Sequence, residues 1–150
     1  MADILRRPAA SQKSCLESVT MADSSLPLLL YVEDEIMIQT GVVGSLEDAG
    51  FTLVVADNGQ QALELLTRHS GELRGLVTDI NLGDGPDGWH VARTARELIA
   101  GLPVVYVSAA SDQEWTSKGV PCSTMISKPF ASAQLVVAIS SLLVATDTSL

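Results

Sequence analysis

Four short stretches of this 150-residue chain set ionisable or hydroxyl side chains directly behind apolar runs. Glu33, Asp34 and Glu35 follow residues 28–32, and Asp79 and Asn81 follow 76–78. Ser108 ends 104–108, and Lys128, with Pro129 behind it, follows 123–127. Asp34 and Asp79, with Glu33 behind them, would repel one another at close range in a partly dry cleft. A hard divalent cation relieves that repulsion, and oxygen-only ligands with room for water suit Mg2+. A carboxylate on such an ion can be a nucleophile toward phosphorus, because the cation also neutralises the incoming phosphoryl oxygens. Lys128 adds a point charge for a phosphoryl oxygen and Ser108 a hydrogen bond. The chemistry is phosphoryl transfer to an aspartate, carried mostly by positioning and charge.

Each residue also has a plainer role. Acids at a helix start complement its dipole. Asp79 and Ser108 suit turns or caps, and a lysine before proline suits a solvated turn. What decides is whether the chain brings them to one place.

The elements expected from periodicity do so. Residues 28–32, 51–56, 76–79, 104–108 and 123–127 read as five apolar strands. Between them, 35–48 reads as a helix stopped at Gly50. Asp57 or Asn58 caps a helix bearing Ala62, Leu63 and Leu66 on one side. A third helix places Val91, Ala92, Ala95, Leu98 and Ile99 on one face, and a short polar one spans 113–118. The last carries Leu135, Val136, Ile139, Leu142 and Leu143. Strands alternating with helices give a parallel sheet covered on both sides, an α/β doubly wound fold. Ligands of such sheets sit beyond the carboxyl ends of the strands, which is where the acids, the hydroxyl and the amine all fall.

Composition narrows the function. Eighteen acids against nine basic residues give a formal net charge of −9. Nucleic-acid surfaces need clustered Lys and Arg, so a nucleic-acid partner is not expected. No apolar stretch is long enough to cross a bilayer, so no membrane partner is expected either. Two cysteines, Cys15 and Cys122, form neither a disulfide framework nor a metal-ligand spacing, which suits a reducing cytoplasm. Residues 1–25 are polar and without period, and are expected to form a disordered extension; 26–145 form the domain and 146–150 a polar tail.

The motifs VEDE, VTDINLGDGPDGW, VSAAS and SKPF resemble, in order and separation, the signatures of response-regulator receiver domains. The resemblance covers residues 26–145 and implies a flavodoxin-like sheet in the order 2-1-3-4-5, with its switch point between strands one and three. Position by position, it implies that Asp34 holds Mg2+ directly and Glu33 through water. Asp79 is then the phosphoacceptor, and the backbone carbonyl of Asn81 completes the metal shell. Ser108 matches the switching hydroxyl and Lys128 the phosphate-binding lysine, with a cis peptide before Pro129. Gly88 resembles the loop glycine before the third helix, and Trp89 and His90 receive no role. The implied function is a single-domain, chemotaxis-receiver-like response regulator. It accepts phosphate on Asp79 from a sensor histidine kinase or a histidine phosphotransfer protein. It then signals through a protein partner or acts as a phosphate sink, with a homodimer left open.

Two departures matter. Met125 stands where the family usually has an aromatic switch residue on strand five, and Tyr106 is the nearby candidate substitute. Residues 110–120 are expected to be mobile until Asp79 is modified. Three rivals share the cleft logic. Haloacid-dehalogenase-type phosphatases and Toprim modules both use Asp-x-Asp, and Asn81 occupies the second position here. A pseudo-receiver scaffold would have no use for Asp34, Asp79 and Lys128 together.

Overall fold

A computed structural model describes residues 26–109 and 112–148. The extension expected over residues 1–25, with Cys15, lies outside the described residues, as do Ala110 and Ser111. Among the described residues five strands alternate with five helices. They are β1 (Leu28–Val32), α1 (Ile36–Asp48), β2 (Thr52–Ala56), α2 (Gly59–Arg68), β3 (Leu73–Asp79), α3 (Gly88–Leu98), β4 (Val104–Ser108), α4 (Asp112–Lys118), β5 (Ser123–Ser127) and α5 (Ser132–Thr148). All strand pairs are parallel, and the sheet order is β2-β1-β3-β4-β5, as the resemblance implied.

Alternate strand residues feed two cores, as the pleat requires. Leu29, Tyr31, Val77, Val105 and Val107 pack with Val42 and Leu46 of α1 and with Leu135, Ile139 and Leu143 of α5. Leu30, Val32, Leu76, Val104 and Tyr106 face the other way, onto Ala62 and Leu66 of α2 and Val91, Ala92 and Ala95 of α3. Each fully buried Leu or Val contributes roughly 1.5–3 kcal/mol. These two layers fix the sheet, and the sheet fixes the rim.

Local signals set the helix ends. Asn58, rather than Asp57, caps α2, its side chain accepting from the Gln61 amide at 2.8 Å. Asp87 caps α3 by accepting from the His90 amide at 2.9 Å. At the end of α1, Gly50 takes φ +102°, which a side chain would oppose. Its amide donates to Glu47 O and that of Phe51 to Leu46 O, closing the last turn while Phe51 packs in the core beside Leu46.

Three expectations need correction. β3 begins at Leu73 rather than 76, because Leu73 pairs with Leu28 across an irregularity in the ladder before regular pairing resumes at Gly75. Leu98 is 47% exposed rather than on the core face of α3, since the helix ends there and Ile99 turns extended. The tail expected from 146 starts inside α5, which runs to Thr148.

Candidate functional site

β1, β3, β4 and β5 deliver the site residues to a single rim. Glu33 follows β1 directly, and its amide donates to Ala56 O, holding the chain against the end of β2. Asp79 closes β3, Ser108 closes β4, and the Lys128 amide donates to Ser108 O at 2.9 Å, extending the β4–β5 pairing to the lysine. Gly88 packs against the main chain at Asp79 and Ile80 so tightly that a Cβ would strike the Asp79 carbonyl. The glycine behind the acid is there for close backbone approach.

The charged atoms converge. Carboxylate oxygens of Glu33, Asp34 and Asp79 lie within 4.8 Å of one another. Lys128 Nζ is 2.9 Å from Asp79 Oδ2, 3.6 Å from Glu33 Oε1 and 3.5 Å from Glu35 Oε1. The Asn81 amide donates to Asp79 Oδ1 at 3.3 Å, so both oxygens of Asp79 are held. A cavity of about 500 Å3 is lined by Asp34, Glu35, Asp79, Asn81, Gly83, Ser108, Ala109 and Lys128. Glu33 sits beneath it, 1% exposed. Every residue expected at the site is brought to it, and the Lys128–Pro129 peptide is cis.

The electrostatics show what the set lacks. Burial, followed by the charge of Asp79, pushes the Glu33 carboxyl up to about 7 against an ordinary 4.5, although the Glu35 amide and Lys128 pull the other way. Burial lowers the Lys128 ammonium, but its hydrogen bond to Asp79 and the charges of Asp79, Glu33 and Glu35 outweigh this and raise it overall. One ammonium therefore does not balance the acids. An all-oxygen donor set, two of its three carboxylates buried, with an open cavity beside it, fits a hard divalent cation.

Reading by motif missed two residues. Glu35 reaches Lys128, although as an acid at a helix start it looked like a dipole partner. Tyr31, 1% exposed, places its hydroxyl beside Glu33 in the layer under the acids. Its phenol is raised by burial and by the charges of Glu33 and Asp79. The apolar run LLLYV gave only a buried residue, not its polar tip.

The candidate aromatic substitute is tied to its surroundings on two sides. Tyr106 is fully buried, stacks at a tilt on Trp89 with ring centroids 4.8 Å apart, and accepts a hydrogen bond from the Val120 amide at 3.0 Å. Met125 lies opposite it in the β4–β5 register. Trp115 anchors α4 to β5 through a 2.9 Å bond from Nε1 to Ser123 Oγ. His90 is exposed and Trp89 lies in the core.

A doubly wound 2-1-3-4-5 sheet with this rim defines a receiver-type α/β domain. Residues 29–140 match the family model of the response regulator receiver domain, and the chain belongs to that family. It is 32% identical over 119 residues to the response regulator receiver protein CpdR of Brucella abortus, covering 78% of this chain and 97% of that protein. It is also 32% identical over 117 residues to the transcriptional regulatory protein CusR of Escherichia coli, covering 77% of this chain and 50% of CusR. The chain thus spans about half the length of the first curated relatives it matches. Among solved structures, a response regulator receiver protein from Sinorhizobium medicae aligns with a TM-score of 0.77 at 43% identity, covering 81% of this chain and 97% of that one. The family is that of two-component and phosphorelay signalling. Neither the phosphatase nor the Toprim alternative finds support.

Proposed function

We propose that this receiver accepts a phosphoryl group on Asp79 from a sensor histidine kinase or a histidine phosphotransfer protein. The observation that carries the reading is the 2.9 Å contact of Lys128 Nζ with Asp79 Oδ2 inside a cavity also lined by Asp34, Asn81 and Ser108. One oxygen of Asp79 attacks phosphorus as the donor's N–P bond breaks, and the departing imidazole takes up a proton. Lys128 exchanges its Asp79 contact for a phosphoryl oxygen, and Ser108 donates its hydroxyl to another. Asp34 would hold Mg2+ directly, Glu33 through water, with Asp79 and the Asn81 carbonyl completing the shell. Bound there, the ion neutralises charge on the acids and the phosphoryl oxygens. The protein thus catalyses only its own phosphorylation and dephosphorylation.

An apolar groove of about 520 Å3, lined by Met37, Ile38, Gly41 and Phe130, shares Lys128 and Ala109 with the phosphorylation cavity. That continuity suits it to an apolar surface of the donor protein beside its phosphohistidine. A cytoplasmic site of action is part of the same proposal; no described helix is long and apolar enough to cross a membrane. The output is a protein–protein contact or phosphate storage.

Incubation with Mg2+ and acetyl phosphate should add one phosphoryl group, by intact mass, to the wild type and none to Asp79→Asn. An unmodified wild type would instead favour a pseudo-receiver scaffold.

A further inference from the structure

Glu35 stands at the N-cap of α1, where Ser, Thr, Asp or Asn would ordinarily bond the first turn. Its side chain makes no capping hydrogen bond. It turns instead toward the cavity, 3.5 Å from Lys128 Nζ, with 62% of the side chain exposed. Lys128 already has Asp79 and Glu33 as partners, so Glu35 is a surplus negative charge at the mouth, beside exposed Asp34.

We propose that Glu35 is a specificity-determining residue for phosphorylation, a charge filter that disfavours free doubly anionic phosphodonors and favours a donor whose phosphoryl group arrives with its own cation. The inference rests on Asp79 being the phosphoacceptor. A dianion entering the cavity passes Glu35 at close range, and exposed charges at such distances change a rate by a factor of about five in a water-like medium, less with salt. A donor with an ammonium or guanidinium beside its phosphoryl group meets attraction in place of repulsion. The transfer from acetyl phosphate itself is unchanged: the Asp79 Oδ–P bond forms, the acyl O–P bond breaks, and acetate leaves with the electron pair, with no proton consumed. What Glu35 alters is access and the share of Lys128 left for the phosphoryl oxygens.

The test is the initial rate of phosphoryl gain at saturating Mg2+ for wild type, Glu35→Gln and Glu35→Lys. The donors are acetyl phosphate and phosphoramidate, the latter carrying its own ammonium. With acetyl phosphate at low salt the rate should rise in the order Glu, Gln, Lys, with Glu35→Gln roughly three- to tenfold faster than wild type. The gain should shrink in high salt and be smaller with phosphoramidate. Glu64→Gln, which removes the same charge from the exposed side of α2, should leave the rate alone. Equal rates for Glu35 and Gln, an order that does not follow charge, or an equal gain in Glu64→Gln would overturn the filter while leaving the phosphoacceptor intact. No phosphoryl gain in any of these proteins overturns both.

Discussion

Replacing Glu33 by Gln should stabilise the metal-free protein at alkaline pH and flatten its pH profile. Glu33 is 1% exposed, and burial with the neighbouring Asp79 charge raises its carboxyl from 4.5 to about 7. An acid whose folded value lies above its unfolded one binds more protons folded than unfolded between those two values. Its contribution to stability is therefore full below about pH 4.5 and lost as pH rises through 7. At about 1.4 kcal/mol for each tenfold change in proton affinity, the loss is on the order of 3 kcal/mol. Lys128 is raised too, so its contribution fades only above its ordinary 10.5, outside this window. Urea denaturation with chelator present, followed by tryptophan fluorescence at pH 4.5, 6 and 8, reads the difference; Trp89 is 3% exposed and reports unfolding. Wild type should weaken across the series and Glu33→Gln should not. Mg2+ should stabilise wild type more at pH 8 than at pH 5, because ligation requires the deprotonated acid. A wild type equally stable at all three values, or a variant with the same slope, would refute the claim that Glu33 is a buried acid in want of a counter-charge.

Three further outcomes follow from the same contacts. Gly88→Ala should destabilise by about 1–3 kcal/mol and slow phosphoryl gain, since its Cβ would meet the Asp79 carbonyl and lie 2.7 Å from Ile80 Cα; unchanged urea midpoints would count against that tight approach. Tyr106→Phe removes the acceptor for the Val120 amide and should cost about 1–2 kcal/mol, with faster hydrogen exchange at Val120. Equal protection there would mean the hydroxyl does not tie down the turn before β5. Asn58→Ala removes the α2 cap and should cost about 1 kcal/mol, with phosphoryl gain at Asp79 retained.

The rim was legible from sequence because its logic is one-dimensional. In a parallel sheet every strand ends on the same edge, so a polar residue immediately after an apolar run has its place decided by the run. Asp34, Asp79, Ser108 and Lys128 needed only strand ends, and errors at strand starts, such as β3 beginning at Leu73, could not move them. What stayed hidden depends on where a side chain turns. Glu35 had two roles open to it, the helix start or the lysine, and only the three-dimensional position of Lys128 after β5 selects the second. Tyr106 was read as an aromatic that could move in place of the one missing at Met125. In this structure it contacts Trp89 from α3 and accepts from the Val120 amide, neither of them its neighbour in sequence. A buried ring in tilted contact with Trp89 on one side and hydrogen-bonded on the other must give up both contacts to turn. The bond of Trp115 to Ser123 is only part-buried and is easier to exchange for water than the buried tyrosine contact, so the α4 attachment is the weaker of the two ties on this side of the sheet.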